Sequence, residues 1–136
     1  MAKILVIDDS VSVLEHLKVV LSDAGHEVAT ADSGGGGLER LWQESVDLVI
    51  TDMYMPGEDG VDVIRQTRIL FPGIKLIAMS SRTSELNLFS VAKALGAAAT
   101  LQKPFKPEEL IQAVNAALAA SSTQSSAAGL FRKASL

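Results

Sequence analysis

Cysteine is absent from all 136 residues. That excludes a disulfide framework and any thiolate metal site. Aromatic residues make up only 4% against 48% hydrophobic, so a core must be built mainly from Ala, Val, Ile and Leu. Such a composition suits tightly packed helix-on-sheet layers. A basic excess is also missing, since 16 acidic side chains outnumber 12 basic ones. The resulting charge of -4 argues against direct nucleic-acid binding, which needs a positive footprint. No apolar stretch approaches the roughly 18–20 residues of a membrane-spanning helix. The N-terminal run Ile4–Ile7 stops at two aspartates, too soon for a signal-peptide core. These exclusions lead to the expectation of a soluble cytoplasmic protein with no membrane partner and one sizeable core.

What is present is an alternation. Short apolar runs at Ile4–Ile7, Glu27–Thr30, Leu48–Thr51, Ile74–Met79 and Ala98–Leu101 read as strands buried on both faces. Helical patterns lie between them. Leu14, Leu17, Leu21 and Ala24 recur at steps of three and four, and Gly25 follows as a C-cap. A second helix covers about 35–44, a third about 61–70 before Phe71-Pro72-Gly73, and a fourth about 84–95, stopped by Gly96. The fifth starts at Pro107 with Glu108 and Glu109 facing its dipole. Five β-α units of this length predict a doubly wound α/β fold, with parallel strands joined right-handedly and helices on both faces. The predicted domain is 1–120. Residues 121–136 begin with Ser121-Ser122-Thr123-Gln124-Ser125-Ser126 and read as a flexible tail or linker stub; its closing Leu-Phe-Arg-Lys-Ala-Ser-Leu segment is open to three readings, a docking peptide, an ordered cap or residues added for expression.

Sites in open parallel sheets form beyond the carboxyl ends of strands. Strand one ends at Asp8-Asp9, strand three at Asp52, strand four at Ser80-Ser81 and strand five at Gln102-Lys103-Pro104-Phe105. Singly, each is an ordinary turn former, cap or solvated charge. Together they bring three carboxylates, a hydroxyl and an ammonium to one rim. Two unit charges about 4 Å apart repel by about 4 kcal/mol at an effective dielectric of 20, so the cluster calls for protons or a divalent cation. Oxygen donors, with neither His16 nor His26 expected at the rim, favour Mg²⁺ over zinc. Lys103 and Ser80 then suit a phosphoryl group, and Asp52 is a candidate nucleophile that could carry it as an acyl phosphate.

"VIDDS", "ITDMYMPGEDG", "IAMSS" and "KPF", in that order and spacing, resemble the receiver domain of bacterial two-component response regulators over roughly residues 1–120. The resemblance implies a flavodoxin-like (βα)5 fold with strand order 2-1-3-4-5. It implies Asp52 as phosphoacceptor and Asp8, Asp9, Asp52 and the backbone carbonyl of Tyr54 as the Mg²⁺ site. Ser80 matches the switch hydroxyl, Lys103 the charge-balancing lysine, and Pro104 a position that follows a cis peptide. Pro56, Gly57 and Gly60 match the tight path into helix three. The implied donor is a phosphohistidine on a histidine kinase or phosphotransfer protein. The implied consequence is a conformational switch for a downstream partner on the helix 4–strand 5–helix 5 face, by a monomer or weak dimer. Such a domain catalyses only its own phosphorylation and dephosphorylation and is not an enzyme in the ordinary sense.

Several positions depart from that pattern. Thr100 occupies the place of the usual switch aromatic, so ring rotation is not available for coupling. Tyr54 and Arg82 are large at two rim positions that tune phosphoryl lifetime, and both could obstruct an attacking water. Leu86, Leu88 and Phe89 cannot all face the core, which suggests a partner contact on helix four. "SGGGG" at 33–37 lacks the Lys-Ser/Thr of a phosphate loop and reads as a pliable helix start. Trp42 is expected to be partly buried. A haloacid-dehalogenase-type phosphatase would need an aspartate where Tyr54 stands. A flavodoxin-like cofactor binder would meet repulsion from Asp8-Asp9. A pseudo-receiver acting by interaction alone would lack an acidic, Ser/Thr or Lys position, and none is lost.

Overall fold

The pleat of the first strand sets out the layers. The computed structural model describes residues 1–55, 58–81 and 88–120, with backbone only at 58–60, 88 and 89. Its strand β1 spans Lys3–Ile7, and alternate side chains point to opposite faces. Ile4 and Val6 join one core with Leu14, Leu17 and Leu21 of α1 (Val11–Asp23). Leu5 and Ile7 join a second core with Leu41 of α2 (Gly34–Gln43) and Ile64 of α3 (Gly60–Leu70). All four strand residues are fully buried, which explains why the run is continuously apolar rather than alternating.

The remaining strands are β2 (Glu27–Ala31), β3 (Leu48–Asp52), β4 (Lys75–Ser80) and β5 (Ala99–Gln102). They form one parallel sheet in the order β2-β1-β3-β4-β5, which is the expected doubly wound arrangement. Helix α4 covers Leu88–Ala94, and residues 107–120 form α5. Leu110, Val114 and Ala117 of α5 complete the α1 core. Ala92 of α4 belongs to the other. Among the described residues, no helix is long and apolar enough to cross a membrane.

Local chemistry fixes the helix ends. The Ser10 hydroxyl accepts from the Val13 N–H at 3.4 Å and caps α1. Gly25 follows that helix at φ 96°, a conformation open to glycine without a Cβ penalty. Ser33 caps α2 by accepting from Gly36 N–H at 3.0 Å.

The structure corrects three expectations. Gly37 is not merely pliable: a Cβ there would lie 2.3 Å from Ile7 Cδ1, so the absent side chain lets α2 settle onto β1. Trp42 is exposed rather than partly buried, at 66%, because it stands at the outer end of α2 with its ring edge-on to Phe71. Beyond β3, Tyr54–Met55 and Glu58–Asp59 pair as a small antiparallel ribbon too short to leave a periodic pattern. Pro56, Gly57, Arg82, Leu86 and the tail 121–136 lie outside the described residues, as do the side chains of Glu58, Asp59, Leu88 and Phe89.

Candidate functional site

Register brings the acidic residues together. Ile7 of β1 lies opposite Thr51 of β3, so Asp8 and Asp52 come level at the carboxyl edge. Both share the pleat parity of Ile4, Val6, Leu48 and Ile50, the residues that face α1 and α5. Asp52 lies opposite Met79 of β4, which places Ser80 one residue further along. Ser80 in turn lies opposite Gln102, and the Lys103 N–H donates to the Ser80 carbonyl at 2.9 Å. Lys103-Pro104 is a cis peptide, as the resemblance implied.

At this edge Asp8, Asp9 and Asp52 each offer a carboxylate oxygen within 4.8 Å of the others. Asp8 and Asp52 are 1% and 5% exposed, while Asp9 is open to solvent. Asp8 is held from two sides: it accepts from the Ser10 N–H at 2.9 Å and from Lys103 Nζ at 2.6 Å. The same ammonium lies 3.5 Å from Asp52 Oδ1. Burial pushes the Asp52 carboxyl up to about 6, and the nearby Asp8 charge adds to that. The Lys103 charge and the Tyr54 N–H oppose it.

The donor set fits a hard divalent cation. Its protein ligands are all oxygens, which suits Mg²⁺ rather than a softer metal. Three carboxylates face one ammonium, so full ionisation leaves two negative charges uncompensated in a largely buried place. Burial and, after it, the neighbouring Asp8 charge raise the Asp52 carboxyl when no cation is bound.

The expected site residues fall as follows. Asp8, Asp9, Asp52 and Lys103 meet directly. Ser80 is fully buried at the end of β4. Tyr54 opens the small ribbon with its side chain half-exposed and its N–H on the Asp52 carboxylate. Thr100 is half-buried in β5. His16 must be reassigned. It lines a groove with Ser81, Lys103 and Pro104, so α1 carries it along the margin of the rim instead of away from it. Ser10 was missed. It caps α1 and also anchors Asp8, and the pattern of Asp two residues before a helix-capping Ser was the available signal.

Comparison with known proteins agrees with this geometry. A family model for the response regulator receiver domain matches residues 4–115. The chain is 32% identical over 112 residues to sporulation initiation phosphotransferase F of Bacillus subtilis (strain 168), covering 82% of this chain and 90% of that protein. It is 34% identical over 116 residues to the DNA-binding response regulator MtrA of Mycobacterium tuberculosis (strain ATCC 25618 / H37Rv), where it spans only 50% of the relative and 85% of itself. A response regulator receiver domain protein from Clostridium thermocellum superposes with a TM-score of 0.84 at 35% identity, covering 91% of this chain and 99% of that one. The chemotaxis protein CheY4 of Vibrio cholerae gives 0.80 at 31% identity, covering 87% and 99%. A carboxylate cluster at the carboxyl edge of a 2-1-3-4-5 parallel sheet, together with these matches, makes the chain a member of the response regulator receiver domain family.

Proposed function

We propose that Asp52 accepts a phosphoryl group from a phosphohistidine on a histidine kinase or phosphotransfer protein, in a reaction that needs Mg²⁺. The observation that carries this reading is the meeting of Asp8, Asp9 and Asp52 within 4.8 Å, with Lys103 Nζ touching two of them. Asp8, Asp9, Asp52 and the Tyr54 carbonyl would hold the ion, which when bound balances negative charge on the phosphoryl oxygens. Among this chain's own groups, the ionised Asp52 carboxylate attacks phosphorus in line. An O–P bond forms, the donor's N–P bond breaks, and the imidazole leaves with the electron pair. The product is a mixed anhydride. Lys103 neutralises part of its charge, and Ser80 offers a hydroxyl to it. Water later cleaves the anhydride and restores the carboxylate.

The new phosphate contacts bias two conformations of the domain, and the shift is read by a protein bound to the α4–β5–α5 face. Val91 of α4 is exposed there. The test is labelling by acetyl phosphate. Wild type should label in Mg²⁺ and not in excess chelator, and Asp52→Asn should not label. A wild type that takes no label from acetyl phosphate or from a phosphorylated kinase would identify a pseudo-receiver instead.

A further inference from the structure

At the amino edge of the sheet, opposite the acidic cluster, the chain displays an apolar feature that phosphoryl transfer does not use. Trp42 is 66% exposed, and its ring meets Phe71 edge-on with centroids 4.7 Å apart. The two rings border a groove of ≈ 530 Å³ floored by Leu41, Val46 and Ile74. The open indole and the Leu41, Val46 and Ile74 side chains offer an apolar seat in a groove whose rim also carries Gln43, Glu44 and Ser45. Val46 and Gly73 also line a second groove, of ≈ 370 Å³, whose far wall is Leu118 of α5. The floor is therefore continuous from Trp42 to the last turn of α5.

That continuity names the occupant. The helix hands the chain on from Ala120, beside the second groove. The next nine residues, Ser121 to Gly129, carry no bulky apolar side chain. Then come Leu130 and Phe131, followed by Arg132 and Lys133. From Ala120 to Leu130 the chain can span up to about 33–36 Å when extended. A tether of this length supplies an effective concentration on the order of millimolar, so even a weak apolar contact is populated. The polar border also matches. Asp47 is exposed and lines the second groove. One of its oxygens accepts the Lys3 N–H at 2.9 Å, and a carboxylate has capacity for a basic neighbour as well.

We propose that Leu130 and Phe131 of this chain fold back onto the Trp42–Phe71 groove, with Arg132 or Lys133 against Asp47. The seat is at the opposite edge of the sheet from Asp52, so it joins the segment after α5 to the α2 and α3 ends without entering the phosphoryl site. It is independent of the phosphoacceptor reading.

Trp42 is the sole tryptophan, so its fluorescence and indole N–H resonance report on this groove alone. The full chain should be compared with Leu130→Ser/Phe131→Ser at several protein concentrations. A segment docked for most of the time shields the ring, and its loss should raise the acrylamide quenching constant by about twofold. The emission should move to longer wavelength and the indole resonance should shift, all independently of concentration. An identical quenching constant and resonance in wild type and variant would overturn the proposal. So would shielding that disappears on dilution, which would assign the groove to a second copy.

Discussion

Lys103 holds Asp8 more closely than Asp52: its ammonium lies 2.6 Å from the first carboxylate and 3.5 Å from the second. The lysine is thus tethered by one acid while its field acts on the other. Asp8 is in turn fixed by the Ser10 N–H at the mouth of α1. The ammonium's position is therefore set by two strands and one helix terminus before any phosphoryl group arrives.

Removing that ammonium should move the acceptor's titration. The Lys103 charge is the largest influence opposing the upward shift of Asp52. In Lys103→Met without metal, the Asp52 midpoint should rise above about 6. A carbon-13 carboxyl titration checks this, and a midpoint at or below the wild-type one would show that the lysine's field is not felt at Asp52.

The raised acceptor also makes stability depend on pH. Asp52 binds its proton more tightly folded than unfolded, so this contribution is fully present below about pH 4 and is lost as pH rises toward about 6. Above that, in chelator, the ionised carboxylate costs about 1–3 kcal/mol. Asp52→Asn should therefore be more stable than wild type at pH 8 by that amount, with the difference shrinking toward pH 4. Urea unfolding at several pH values measures it. A gap that is flat across this range would contradict the burial argument.

Two glycines of α2 should respond oppositely to alanine. Gly35 has nothing within 4 Å of an added Cβ, so Gly35→Ala should stabilise by about 0.5–1 kcal/mol through helix propensity. Gly37→Ala drives a methyl into Ile7 and should cost about 1–3 kcal/mol. Paired thermal melts decide it; equal effects would mean the Ile7 contact yields freely.

Tyr54 is half-exposed two residues after Asp52, and on the proposed function its ring obstructs the attacking water. Phosphorylated Tyr54→Ala should lose its label faster than wild type, and Arg82→Ala should do the same. Decay of the phosphorylated protein in Mg²⁺ supplies the rate. Unchanged or slower loss in both variants would remove the shielding role.

The β-α order, the two-faced burial of Ile4–Ile7 and the convergence of Asp8, Asp9, Asp52 and Lys103 could be read from the sequence because each rests on periodicity or on a strand end. What escaped depends on contacts between distant segments. The need for glycine at 37 comes from Ile7, thirty residues away. The exposure of Trp42 follows from where α2 stops relative to Phe71, and a lone aromatic in a helical pattern does not report its outlook. His16 was misplaced because sequence spacing gives a helix face but not how far along the sheet edge that helix runs. The ribbon at Tyr54–Met55 is shorter than any pattern that could announce it.

Strand parity gives the carboxyl edge a left and a right. Asp8 and Asp52 continue the positions that face α1 and α5, while Ser80 continues those of Leu76 and Ala78, which face the α2–α3–α4 side. By parity, Asp52 and Ser80 thus belong to opposite faces of the sheet. A single residue inserted within β3 would invert every address beyond it. It would carry Asp52 to the other face from Asp8 without touching any helix. The pleat functions as a one-bit code that decides which side of the sheet each edge residue serves.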